Sequence, residues 1–171
     1  MLVLVITTCV LSQDVEGQEL NEYDAKAAYL FNFVKFIEWP SQSFPDDASP
    51  LIIGVVGDDR FSELIEQKIN GKIANGRRLT VKRFSNFRTL TSCHMVFVRS
   101  SERERIRQTL AAAGSGVLTV GETENFAHWG GVINFIIADG KLRLEINQTS
   151  AERAGLKISA KLLSLARVIR K

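Results

Sequence analysis

The sequence predicts a three-layer α/β domain: a mostly parallel sheet of about six strands, helices on both faces, and an antiparallel hairpin near the C-terminal end. Three observations predict it. Short β-branched runs alternate with helical segments through the first 120 residues. Leu51–Val56 is apolar throughout, as a strand covered on both faces is. Val132–Ala138 and Lys141–Asn147 flank Asp139-Gly140, the dipeptide that supplies the positive φ angles of a two-residue type I′ turn.

Each element has a local reason. Glu19–Trp39 reads as a helix with a broad apolar stripe (Ala25, Ala27, Ala28, Leu30, Phe31, Val34, Ile37), with Lys26, Asn32, Lys35 and Glu38 elsewhere and Pro40 as its stop. Its six aromatics make it apolar on more than one face, so it is packed on both sides or covered by a partner. Ser41–Pro50 is a loop, Leu51–Val56 a strand and Phe61–Ile69 a helix. Gly71–Arg78 is a basic turn, and Leu79–Phe84 and Met95–Arg99 are strands. Ser101, with Glu104 three residues on, predicts a capping box for a helix over Glu102–Ala113. Val117–Val120 is a strand, Thr123–His128 a helical turn, and a last helix is expected from Ser159 to Arg170. In the hairpin Leu142, Leu144 and Ile146 share one face, and Arg143, Glu145 and Asn147 the other.

With 171 residues, residues 19–171 are long enough for a single domain with a real core, because a chain of about 150 residues buries roughly 70% of its unfolded surface. The hydrophobic share of 45% and charged share of 24% are those of ordinary globular proteins. A net charge of +3 without a long Lys/Arg run argues against nucleic acid as a partner. Residues 1–18 open with a short apolar run, MLVLVITTCVLSQ, too short to span a bilayer and lacking a basic n-region. They read as an export signal, complete or truncated, or as a disordered tail. If Cys9 leaves with a signal, Cys93 is a lone thiol.

The strand ends carry Gly57-Asp58-Asp59, Arg99-Ser100-Ser101 and Gly121-Glu122-Thr123, a polar rim where open α/β sheets bind ligands. Asp58-Asp59 resembles the acidic pair of phosphorylation receiver domains, but the third strand ends in Arg99-Ser100 and offers no phospho-acceptor. Asp59 fits better as a helix cap. No dinucleotide fingerprint, P-loop, H-E-x-x-H or G-x-S-x-G occurs, so no catalytic residue, cofactor or metal ligand is assigned. His94 and His128 read as structural. The candidate partner or ligand surface comprises Phe33, Phe36 and Trp39 of the first helix, Glu122 of the rim, Trp129 beside Gly130-Gly131, Asn134 within an apolar strand, and Glu145 and Asn147 of the hairpin.

Three segments, Lys26–Pro40, Ile52–Phe61 with His94–Glu102, and Val117–Ile169, together resemble the YfiR family of small exported bacterial proteins. The likeness covers residues 24–170. It implies a periplasmic regulator without enzymatic activity and with a dimeric tendency. Such a protein binds the periplasmic sensor region of a membrane-anchored diguanylate cyclase, or of a sensor kinase, and holds it inactive. An outer-membrane lipoprotein that sequesters it would release the cyclase, raise cyclic di-GMP and favour biofilm. A small-molecule sensor module is the alternative expectation, drawn from the polar rim and the Trp129–Asn134 segment.

Overall fold

The first helix sets the frame. In the computed structural model, which describes residues 10–57, 60–85 and 90–171 (side chains from residue 21 onward, Thr91 excepted), α1 runs Val10–Phe36. The leader expected over residues 1–18 lies partly outside these, and the helix is already formed at Val10. Ile37–Glu38 (β1) follows, paired with Lys157–Ile158, and Pro40 disfavours helical backbone at Trp39 just beyond it.

The remaining elements, in order, are β2 (Leu51–Val56), α2 (Arg60–Ile69), β3 (Ile73–Ala74), β4 (Arg77–Phe84), β5 (Met95–Val98), α3 (Ile106–Ala113) and β6 (Leu118–Gly121). Then come β7 (Ile133–Ala138), β8 (Lys141–Asn147), α4 (Gln148–Arg153), β9 (Lys157–Ile158), α5 (Ala160–Leu163) and β10 (Ala166–Ile169). The main sheet has eight strands in the order β10-β8-β7-β6-β5-β2-β4-β3. The pairs β4–β2, β2–β5, β5–β6, β6–β7 and β8–β10 are parallel, and β7–β8 and β3–β4 are antiparallel. β1 and β9 form a separate antiparallel pair. The sheet is two strands wider than expected: β3, with two residues, is too short to show in a pattern, and β10 falls in the stretch expected as the last helix.

Two apolar layers hold the sheet between them. On one face Leu30, Phe33 and Val34 of α1 and Ile65 and Ile69 of α2 pack on Ile53, Val55, Phe97, Val120 and Ile133. On the other, Ile106 and Ala113 of α3 pack with Val96, Val98 and Phe126. The alternation of adjacent strand residues between these layers explains why the central strands are apolar throughout. Asp139 (φ 52°) and Gly140 (φ 68°) both take positive φ, as the I′ turn requires.

Three local expectations are corrected. The last helix stops at Leu163, and Ala166–Ile169 instead pairs in parallel with Leu144–Asn147. Ala-Arg-Val-Ile is a competent strand, and an open edge beside β8 satisfies its backbone groups more fully than an isolated helix end would. The capping box at Ser101 is not used. A 3₁₀ segment occupies Ser100–Arg105, α3 begins only at Ile106, and neither N-cap residue, Arg99 or Arg105, makes a side-chain cap. The Ser100 N–H goes to Glu122 Oε1 at 2.8 Å, a distant carboxylate. Finally, Lys26 lies within the buried stripe of α1, between Tyr23 and Leu30, and is only 4% exposed.

Candidate functional site

Chain direction reverses beside β2: α2 leads from β2 to β4 on one side, and the chain returns to β5 on the other. A ligand crevice in such a sheet lies outside the carboxyl ends of these strands. Here Gly57, Arg99 and Glu122 follow β2, β5 and β6. Gly57 has φ 117°, and a Cβ there would press on the Arg99 side chain at 3.0 Å and on Ser101 Oγ at 3.3 Å. Asp58 and Asp59, and with them the expected cap at Asp59, lie outside the described residues.

Glu122 is the centre of this end. Its buried carboxylate accepts from Lys26 Nζ (2.6 Å), from the Tyr23 hydroxyl (3.0 Å to each oxygen) and from the Ser100 N–H (2.8 Å). Arg99 Nε lies 3.7 Å away, and Glu22 makes a second ion pair with Lys26. Aromatic rings line the cations. Tyr23 stacks on Phe61 with centroids 4.0 Å apart, and the Arg99 guanidinium lies 4.2 Å from the Tyr23 ring and 4.8 Å from that of Phe61. Burial, then the Glu122 charge, pushes the Tyr23 hydroxyl above its ordinary range, so it stays a donor. Lys26, Arg99-Ser100 and Glu122 come from the three family-like segments, which this one cluster ties together.

The other sequence-predicted residues do not form one surface. Phe33 is in the core at 1% exposure. Phe36 is half-buried beneath the Lys161 ammonium, 5.5 Å from its ring, and the half-buried Trp39 donates Nε1–H to the His94 carbonyl at 2.9 Å. Trp129 is half-buried, with the Arg107 guanidinium 6.0 Å from its ring. Asn134 is fully enclosed and donates to the Thr123 carbonyl at 3.0 Å. Asn147 is buried as the N-cap of α4, accepting from the Ser150 N–H (3.0 Å) and donating to the Ala127 carbonyl (2.8 Å).

Glu145 is also buried, with His128 Nε2 at 3.9 Å and Arg167 Nε at 3.7 Å. Glu145 and Asn147 do share one face of the hairpin, but that face is covered, so neither contributes to an exposed partner surface. The turn Ala127–Trp129 folds over that face, helped by Gly121 and Gly131, where any Cβ would overlap the Phe126 ring.

Sequence reasoning missed Tyr23, Lys26, Arg99 and Ser100 as partners of Glu122. The available signal was Lys26 itself, a cation four residues before Leu30 and seven before Phe33 on one helical face.

A different kind of site lies at the opposite end of the sheet. A cavity of about 580 Å³ opens between the Pro40–Pro50 loop and the amino ends of β2, β5 and β6. Its lining is apolar and hydroxylic: Pro45, Pro50, Ile52, Val117, Ser43, Ser92, Ser115, Cys93 and His94. His94 is neutral by construction. Its Nδ1 accepts from the Ile52 N–H (3.0 Å) and its Nε2–H donates to the Ser43 carbonyl (2.9 Å), while the ring stacks on Phe44 at 4.3 Å. Burial holds its pKa below the ordinary value, and burial pushes the Cys93 thiol up to about 11. The imidazole is neutral with both nitrogens engaged and the thiol is protonated, so neither side chain is activated as a nucleophile or base here.

Over residues 23–167 the sequence matches the YfiR/HmsC-like family. The chain belongs to that family. YfiR/HmsC-like proteins are regulatory domains, in general periplasmic and tied to diguanylate cyclase signalling, and are not a known catalytic family. A solved conserved domain protein from Vibrio cholerae O1 biovar El Tor superposes with a TM-score of 0.51 at 17% identity, covering 68% of this chain and 54% of that one. That likeness shows the shared fold, and this chain spans about half the length of that protein. Among the described residues no helix is long and apolar enough to cross a membrane.

Proposed function

We propose that this chain is a non-enzymatic periplasmic regulator that binds the periplasmic sensor region of an inner-membrane signalling protein, a diguanylate cyclase, and inhibits it. Cyclic di-GMP and biofilm formation would follow its occupancy. A membrane sensor kinase is the other partner of the same kind, an outer-membrane lipoprotein would relieve the inhibition by sequestration, and the regulator would act as a homodimer. The single observation that carries this reading is the family match across residues 23–167.

The mechanism is differential binding. A regulator that moves its target from mostly active to mostly inactive must prefer the inactive conformation by about 5.5 kcal/mol. The interior supports a rigid binding body. Glu122 ties α1 to the ends of two strands, so the surface of α1 is held in fixed relation to the sheet. The test is co-purification of the full chain with the diguanylate cyclase encoded nearest to it, combined with cyclic di-GMP measurement after deletion. Capture of the cyclase and a rise in cyclic di-GMP are expected; neither capture nor a rise would reject the reading.

The cavity beside His94 and Cys93 favours a second reading, a small-molecule sensor module. Its lining suits a neutral, mostly apolar molecule. A ligand at one hundred times its dissociation constant stabilises a protein by about 2.7 kcal/mol, which a thermal-shift screen of neutral amino acids and small aromatics would detect.

A further inference from the structure

The sheet ends differently on its two sides. β3 is an edge of two residues, Ile73–Ala74. β10 is an edge of four, Ala166–Ile169, whose inner side pairs with β8 and beside whose outer side no strand lies among the described residues. An edge strand offers a row of backbone donors and acceptors to another chain. This one is also apolar in part: Leu165 is 64% exposed and Val168 38% exposed, two of the four large exposed hydrophobics among the described residues.

Charge decides what such an edge accepts. Residues 139–171 hold eight Lys/Arg against three Asp/Glu, a larger positive balance than the +3 of the whole chain. Arg167, 68% exposed, lies on the strand, and Arg170 and Lys171 follow it. A second copy pairing edge to edge about a two-fold axis runs antiparallel, so that with Ala166 opposite Ile169 each Arg167 faces Val168 of the other copy, and neither edge supplies an anion to the other's cations. An acidic segment meets the reverse situation, with its backbone completing the ladder and its carboxylates facing the cations.

We infer that the open edge of β10, flanked by Arg167, Arg170 and Lys171, is the docking strand for an extended acidic segment of a partner protein. This rests on the reading of the chain as a binding regulator, and it names the contact that such a regulator would use.

The test is amide hydrogen exchange on the full chain, with a short synthetic peptide alternating glutamate and valine as the probe and its lysine–valine counterpart as the control. Exchange at Ala166–Ile169 slows by about tenfold or more with the acidic peptide and not with the basic one. Arg170→Glu, and separately Lys171→Glu, weaken that protection while the melting temperature holds. No protection at saturating acidic peptide overturns the inference, as does equal protection by both peptides. Protection that grows with protein concentration alone overturns it in favour of a second copy.

The same measurement with the periplasmic region of a diguanylate cyclase separates the two claims. Binding with protection elsewhere removes the β10 edge and leaves the proposed function standing. Peptide protection at β10 with no cyclase binding does the opposite.

Discussion

Replacing Glu122 by Ala removes the anion from a cluster that keeps its cations. Lys26 is 4% exposed and the Arg99 side chain 5%, so neither gains much water when the carboxylate leaves. Breaking a buried pair by deleting one partner costs about 3–5 kcal/mol, and the carboxylate that Lys26 keeps, Glu22, is 35% exposed. In a chain of this size each kcal/mol lowers the melting temperature by about 2–4 °C, so Glu122→Ala should lower it by roughly 6–20 °C. Lys26→Met alone should also destabilise, by leaving Glu122 with fewer donors. The double variant Lys26→Met/Glu122→Leu removes both charges and restores apolar volume, and buried pairs replaced in this way are often neutral. It should therefore be clearly more stable than the sum of the two single changes. The assay is urea denaturation followed by circular dichroism. A loss below about 1 kcal/mol for Glu122→Ala, or strict additivity in the double variant, refutes the cluster as a cooperative unit.

Four further outcomes follow from the geometry. Gly131→Ala drives a methyl into the Phe126 ring and should cost about 1–3 kcal/mol in thermal denaturation, with Gly131→Ala/Phe126→Leu less than additive. Asn147→Ala removes the α4 cap and one of the two donors to the Ala127 carbonyl, which keeps the Gly130 N–H, a loss of about 1–2 kcal/mol by the same measurement. His94 has a folded pKa below its ordinary 6.5, so its full contribution is present above pH 6.5. As pH falls from there the unfolded chain binds the proton first, and stability declines until the folded pKa is passed; His94→Gln should flatten that part of the stability–pH curve. In a Cys9→Ser background, Cys93, with a pKa near 11, should react slowly with a disulfide reagent at pH 8 and rapidly in denaturant.

Much of the fold was legible because its signals are local. Asp139-Gly140 fixes the hairpin by backbone conformation alone, and Leu51–Val56 declares a covered strand by composition. What was not legible depends on partners distant in sequence. Ala166–Ile169 is a strand only because β8 offers it an edge. Glu145 and Asn147 look like the outward half of an alternating strand, and only the turn at Ala127–Trp129 encloses them. The candidate site divides the same way. The rim at Glu122 could be placed by strand order, but its role depends on Tyr23 and Lys26, nearly a hundred residues away. The cavity at the other end had no sequence signal, since Ser, Pro and Ile in loops are ordinary.

That division bears on where recognition happens. In an open α/β sheet the crevice at the strand carboxyl ends is the usual place for a ligand. Here Glu122 already meets three donors there, and even a methyl group added at Gly57 would press on Arg99 and Ser101. An incoming anion would have to displace a carboxylate that is bonded to a buried lysine, and an incoming cation would have to compete with Lys26 and Arg99 for it. Both cost the desolvation that the cluster has already overcome. Binding energy for a partner is therefore to be sought where groups are still exposed to solvent: the apolar cavity at the far end, and the cationic edge of the sheet, where Arg167 is 68% exposed although it reaches Glu145. A Glu122 variant consequently separates stability from recognition. At a temperature where Glu122→Gln remains folded, partner affinity through β10 should change little, because the cluster lies at β5 and β6, inside the sheet and away from that edge.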